Sequence, residues 1–433
     1  MLEKLNNTIT LWIGRQTGFW FAFYASASAF CLYTCIFALR KSFGVATYEG
    51  LTWAGHSFKV WMVVFQVMGY MLSKFIGIKV VSELQASSRG GGILLMTSLA
   101  SVSWLFFAIT PAPYSLIFLF FNGLPLGMVW GMVFSYLEGR KMTEVLGASL
   151  SVSFIFSAGF AKTIGGLMMN HWGVTEMWMP LATSAVFFPP LLIFLFLLNK
   201  IPPPNAEDEM LRTKRQPMTG AERKKFTLTF LPGLILLILS YALLTAYRDF
   251  RDNFGAEIWK TLGYGGQPGI FTQTESIISL VVLVVIGSLM VIKNNFKALV
   301  INHIIVIIGM LMVGVGTWVF EEKWIDAPTW MVLVGMGLYF GYIQFNSIFF
   351  DRLIATFKYV STVGFLIYLA DSFGYVGSVG VLLYKEFGQA NLSWLSFFIQ
   401  SSYILAISGS VLMGCSLIYF VFKFSSLKKS PSI

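Results

Sequence analysis

Tyr33, Arg40 and Lys41 close the first long apolar run of this chain, in Tyr33-Thr-Cys-Ile-Phe-Ala-Leu-Arg-Lys-Ser-Phe43. Tyr70 and Lys74 lie within the second, in Gly69-Tyr-Met-Leu-Ser-Lys-Phe-Ile-Gly77. Holding a cation at mid-bilayer costs at least ~2.5–3.5 kcal/mol, so such residues face an internal cavity and serve it. Arginine meets oxyanions two oxygens at a time through its planar fork, and lysine acts as a compact point charge. Cations converging on one cavity with tyrosines beside them describe a site for an anion.

The elements that position these residues are membrane spans. Of the 433 residues, 56% are hydrophobic and 12% charged, with mean hydropathy +0.74, a composition that no soluble globular chain of this size could hide in cores. The net charge of +10 falls between apolar runs and forms no basic domain, which argues against a nucleic-acid partner. Runs long enough to cross a bilayer fall near 17–39, 57–78, 91–111, 113–136, 147–169 and 177–199. A second six follow near 227–247, 270–292, 297–319, 328–350, 360–384 and 397–422. This divides the chain into a first six-helix half over 1–199, a polar linker over 200–226 and a second half over 227–433. The linker opens Ile201-Pro-Pro-Pro-Asn205 and carries Arg212, Lys214, Arg215, Arg223, Lys224 and Lys225. Lys and Arg concentrate there, at both termini and in alternate loops, whereas the opposite loops hold few, chiefly Lys260, Lys323 and Lys385. Both termini and the linker are therefore expected in the cytoplasm, as in a multi-pass protein of the cytoplasmic (inner) membrane. No cleavable leader is read ahead of the first span.

The halves resemble each other. Ser157, Gly159, Gly165 and Gly173 recur as Ser372, Gly374, Gly380 and Gly388 at a constant offset of 215, and Trp172 maps onto Phe387. Tyr33 and Arg40 recur as Tyr241 and Arg248 at an offset of 208. Duplicated parallel halves follow from both together. The expected fold is an all-α membrane protein of twelve transmembrane helices in two pseudo-symmetric halves, the layout of the major facilitator superfamily.

Three stretches resemble the organophosphate:phosphate antiporters of that superfamily, the type that moves glycerol-3-phosphate and hexose phosphates. Phe37-Ala-Leu-Arg-Lys-Ser-Phe-Gly-Val-Ala46 is similar to their first-helix motif, Tyr70-Met-Leu-Ser-Lys-Phe-Ile76 to their second, and Phe373-Gly-Tyr-Val-Gly-Ser-Val379 to a run in helix eleven. The superfamily layout covers nearly the whole chain; these specific motifs cover about forty residues. In that family two arginines, one per half, hold the phosphate group mid-membrane. The resemblance implies Arg40 as the phosphoryl ligand of the first half, with Lys41 and Lys74 adding field and Tyr33 and Tyr70 lining the site. Its counterpart is Arg248, which the repeat favours, or Arg251 on the same helix face; Asp249 and Asp252 are expected to pair with whichever arginine does not bind. Tyr339 in span ten and Tyr375 in span eleven complete the candidate lining. The resemblance further implies alternating access, with the halves rocking about a central site in exchange for inorganic phosphate or with protons. No enzymatic constellation, cofactor or metal site is expected, and a functional monomer is.

The chain departs from the family where Phe156 replaces a span-five histidine, where Lys162 follows in the same span, and where Asp371 places a carboxylate in span eleven. Lys162 is either a ligand or a counter-ion for Asp371 or Glu138, and Asp371 points to a substrate tail carrying an amine or to a coupling proton. Glu138 with Arg140, and Asp351 with Arg352 at the equivalent corner of the second half, are read as charge clusters that latch the halves. Arg40 and Lys41 as snorkelling end charges, and Lys74 as part of a gating loop, are the structural alternatives. His56, His171 and His303 are read as interfacial, and Cys31, Cys35 and Cys415 as packing residues. Two rival functions remain: proton-coupled transport of a non-phosphorylated organic anion, and a non-transporting membrane sensor.

Overall fold

A computed structural model of the chain describes residues 10–16, 18–83, 85–138, 140, 142–204, 220–357, 363–389 and 391–429. Lys141, Lys358, most of the linker and the extreme termini lie outside the described residues. Among those described, eleven helices are long and apolar enough to cross a membrane. The paired Ala327–Ser347 and Phe349–Phe357, bent by 50°, form the twelfth. All twelve fall where the apolar runs lie, because a bilayer-length apolar stretch can satisfy its backbone only by folding as a helix.

The chain divides into two compact units. The first comprises Met1–Arg212 together with Asn253–Ser276, and the second Thr213–Asp252 together with Ile277–Ile433. Spans one to six are α1 (Phe19–Lys41), α2 (Phe58–Glu83), α3 (Arg89–Ile109), α4 (Ile117–Phe134), α5 (Thr143–Trp172) and α6 (Met179–Leu198). A two-residue hairpin, Thr52–Trp53 paired with His56–Ser57, joins α1 to α2. Span seven is α7 (Gly220–Asn253), followed by the short α8 (Gly255–Thr261) and then α9 (Gly269–Leu289). The remaining spans are α10 (Asn295–Glu321), the bent α11 (Ala327–Ser347) with α12 (Phe349–Phe357), α13 (Val363–Leu383), and α14 (Trp394–Ile404) continuing into α15 (Ser410–Lys429). Asn294, Asp326 and Ser393 cap α10, α11 and α14 by accepting the backbone N–H three residues on, each at 3.0 Å.

Small residues set the helix spacing that places the polar side chains. On α4, Gly123 and Gly127 stand four apart against α2, the spacing that lets membrane helices approach backbone to backbone. A Cβ added at Gly123 would lie 2.3 Å from the Gln66 carbonyl oxygen. Gln66, Tyr70 and Lys74 ride on the helix held this way. In the second unit, Gly309 of α10 and Gly337 of α11 meet so closely that a Cβ on either would lie 2.4 Å from the other's carbonyl.

Several expectations are revised. Span one continues beyond residue 39 through Lys41 into a 3-10 turn over Ser42–Val45, so Arg40 and Lys41 lie inside the span Phe19–Val45. Span seven continues past 247 to Asn253. Its arginines and aspartates alternate, and opposite charges in proximity keep the cost of extending the helix down. His303 is not interfacial: it is buried in α10, with its ring nitrogens against the Leu299 carbonyl at 2.8 Å and Ser416 at 3.2 Å. Cys415 is exposed rather than packed.

Replacing Gly123 with leucine should destabilise the protein by about 1–3 kcal/mol, the usual cost of overpacking. Gly91→Leu, at a position with no atom within 4 Å of an added Cβ, should leave stability unchanged. Thermal unfolding of both variants in detergent compares them directly.

Candidate functional site

In the first unit the polar residues gather at the end of α1. Tyr33, Arg40 and Lys41 are buried, and Tyr33 and Arg40, seven residues apart, share one face of the helix. The Arg40 guanidinium lies over the Tyr70 ring, its Cζ 3.6 Å from the centroid. Lys74, one turn further along α2 and half-buried, brings its ammonium within 5.3 Å of the same centroid. Tyr70 is thus common to both cations. A guanidinium stacked on an aromatic face presents its N–H donors edgewise, in the plane suited to a phosphoryl or carboxylate group. Lys41 Nζ donates to Asn253 Oδ1 at 2.6 Å. Tyr33 packs against Phe154, 4.9 Å between centroids, and the Ser157 hydroxyl donates to Thr34 Oγ1 at 2.9 Å, tying α1 to α5.

The same unit holds a cation that sequence reasoning missed. Lys59, at the start of α2, is almost completely buried. Its ammonium donates to both Glu257 carboxylate oxygens, at 2.6 and 2.8 Å, and to the Gly44 carbonyl at 3.1 Å. Glu257 sits on α8, between spans, where burial raises its carboxyl above the usual glutamate range against the opposing pull of Lys59 and Lys162. Lys162 is buried on α5, its ammonium 5.6 Å from the Phe271 ring centroid. Glu275, one turn beyond Phe271 on α9, is a second buried carboxylate the sequence reading passed over. A Cβ on Gly159 would lie 2.9 Å from its side chain.

In the second unit the corresponding polar cluster surrounds α7. The Arg248 guanidinium lies over the Tyr342 ring, Cζ to centroid 4.2 Å, and its Nη2 meets Asp249 Oδ1 at 2.5 Å. The other Asp249 oxygen accepts from Ser378 at 2.8 Å. Of the two arginines, the one the repeat favours is therefore seen on an aspartate. Arg251 is the more deeply buried and donates to the Met331 carbonyl at 3.2 Å. Asp371 accepts a 2.6 Å hydrogen bond from Tyr241, the repeat counterpart of Tyr33, and Asn346 donates to the same hydroxyl at 3.1 Å. Tyr339 and Tyr375 are buried, and the Tyr339 ring is 6.5 Å from that of Tyr342. Tyr342 was missed although it stands three residues after Tyr339, where a helix face repeats.

The repeat is visible within the units. In the first, α1 meets α5 at Thr34 and Ser157; in the second, α7 meets α13 where Thr245 and Ala242 face Gly374 and Gly377. The arginine platforms are not repeat equivalents, since Tyr70 lies on span two of its half and Tyr342 on span four of the other. At the corners of the units, Arg140 donates from Nε to the Tyr136 carbonyl at 3.4 Å and reaches the Pro202 carbonyl, with Phe21 under its guanidinium. Arg352 donates to Asn295 at 2.8 Å. Glu138 and Asp351 are half-buried.

The number and order of these spans, and the solved structures they resemble, give the major facilitator superfamily fold, and the protein is a multi-pass membrane protein. Similar solved structures include a variant of the peptide transporter POT crystallised with sulfate, with TM-score 0.63, 13% identity, and 94% of this chain and 97% of that chain covered. The superfamily proton:xylose symporter XylE bound to 6-bromo-6-deoxy-D-glucose matches with TM-score 0.60 at 15% identity over 93% of this chain and 95% of that one. The chain belongs to a family described as a family of unknown function, DUF5690, whose profile matches residues 42–423. No curated protein matches it.

Removing one partner of the Lys59–Glu257 pair strands a buried charge, which costs about 3–5 kcal/mol. Lys59→Met and Glu257→Leu alone should each lower the thermal midpoint sharply. The double variant should recover most of the loss, as unfolding in detergent will report.

Proposed function

We propose that this chain is a secondary transporter that moves a small phosphorylated or phosphonate organic anion across the cytoplasmic membrane by alternating access. One observation carries the reading: Arg40, inside a membrane span, is buried with its guanidinium over the Tyr70 ring and a second cation, Lys74, at the same ring. Cations in a span mark a substrate or ion path, and a stacked arginine offers the two-pronged edge that a phosphoryl group fits. The motif likeness around Arg40 and Tyr70 supports the phosphoryl preference, and the fold supports transport. The second unit's ligand is Arg248, over Tyr342 and paired with Asp249, or Arg251 on the same helix. Lys41, Lys162, Tyr33, Tyr339 and Tyr375 shape the field and lining, and Glu138–Arg140 and Asp351–Arg352 act in gating. The working unit is a monomer with both termini in the cytoplasm.

A second reading rests on Asp371. A carboxylate in span eleven, bonded to the Tyr241 hydroxyl, marks a substrate or ion path. On that reading the protein is a proton-coupled transporter of an organic anion. Asp371→Asn separates the roles. If Asp371 receives an amine, the variant loses aminoalkylphosphonates and keeps neutral-tailed organophosphates. If it carries the proton, exchange persists while pH-driven uptake fails.

Titration calorimetry of the purified protein with inorganic phosphate and aminoalkylphosphonates tests the site. Arg40→Lys keeps the charge and loses the fork, and charge-assisted bonds contribute about 1.5–3 kcal/mol each, so affinity should fall at least about tenfold in a folded protein. Near-normal affinity in this variant would show that Arg40 is not a ligand.

A further inference from the structure

Arg40 and Lys41 are the last residues of α1, and that position carries an electrostatic problem. The C-terminal end of a helix bears the equivalent of about half a negative charge on its last carbonyls, felt within the final turn. An anion bound at Arg40 therefore sits beside a negative pole that opposes it, in a span with little water to screen it.

Three fully buried side chains from three different helices converge on those carbonyls. Gln66 of α2 donates from Nε2 to the Arg40 carbonyl at 2.7 Å. Trp104 of α3 donates from Nε1 to the Leu39 carbonyl at 2.5 Å. Asn122 of α4 donates to the same Leu39 carbonyl and to the Ala100 carbonyl, both at 3.1 Å. Gln66 Nε2 also donates to Asn122 Oδ1 at 2.9 Å, which locks the two amides together. The group is not arranged for stability alone: Gln66 Oε1 is buried with no hydrogen-bond partner, a cost that an apolar residue of the same length would avoid.

We infer that Gln66, Asn122 and Trp104 are positioning residues for the anion site: they quench the negative end of α1 and fix the turn that carries Arg40, so that a doubly charged anion can bind there. None of the three touches the anion; each acts through the Leu39 or Arg40 carbonyl. The inference rests on the phosphoryl reading of Arg40 and names the preference it produces, for dianions over monoanions. An uncapped carbonyl repels a dianion about twice as strongly as a monoanion, because the energy scales with the ligand's charge. A purely architectural role would weaken both forms alike.

The test is binding of inorganic phosphate to full-length protein at about pH 5.5 and about pH 8, between which a phosphate loses its second proton. Each variant is expressed as a ratio to wild type at the same pH, so other titrations cancel. Gln66→Met should lose about tenfold in affinity at the higher pH, about 1.4 kcal/mol, and about threefold at the lower. Trp104→Phe keeps an aromatic ring but removes the indole N–H together with part of the buried ring system, and should lose about threefold at the higher pH and less at the lower; it serves should Gln66→Met fail to fold, and the pH dependence separates the lost N–H from the lost volume. Equal losses at the two pH values, or no loss with wild type binding normally, would overturn the inference and leave the Arg40 site standing. Absence of phosphate binding by wild type at both pH values would overturn the site and the inference together.

Discussion

A charge inside a lipid bilayer must be held by the protein, and the organisation of this chain follows from that. Arg40 lies on the Tyr70 ring, Lys41 on Asn253, Lys59 on Glu257 and the Gly44 carbonyl, and Arg248 on Asp249 and the Tyr342 ring. Each arrangement requires particular helices at particular separations, which explains the glycines where α2 meets α4 and α10 meets α11. Packing in lipid gains nothing from hiding apolar surface, so small residues and polar contacts between helices carry the association.

The two units solve this constraint differently. The first holds its cations on rings, amides, carbonyls and a carboxylate brought by the short helix α8 that follows span seven. The second places its arginines beside aspartates on the same helix and adds Asp371, bonded to Tyr241. The first and fifth helices of each half meet in a common pattern, while the polar side chains around them differ between the units.

Much of the architecture was legible in the sequence because hydropathy over a bilayer's length is a strong signal: all twelve spans fall where apolar runs lie. The burial of Arg40 and its approach to Tyr70 were foreshadowed by two motifs thirty residues apart. Lys59 was not legible, because a lysine at the mouth of an apolar run looks the same whether it meets water or a carboxylate nearly two hundred positions later. Gln66 and Asn122 were missed for a related reason: single amides in apolar runs reveal nothing about which carbonyl they reach. Tyr342 could have been found from its spacing to Tyr339, whereas the coupling of Arg248 to Asp249 and Ser378 depends on side-chain geometry that spacing does not encode.

Transport of an anion bound at Arg40 across the membrane is directly measurable. Proteoliposomes containing the purified protein and loaded with unlabelled inorganic phosphate, given labelled phosphate outside, measure this directly. Label should accumulate by exchange, and protein-free vesicles and the Arg40→Lys protein should show no such accumulation. Binding of phosphate by the same preparation without any flux would contradict it and make the protein a sensor on a transporter fold.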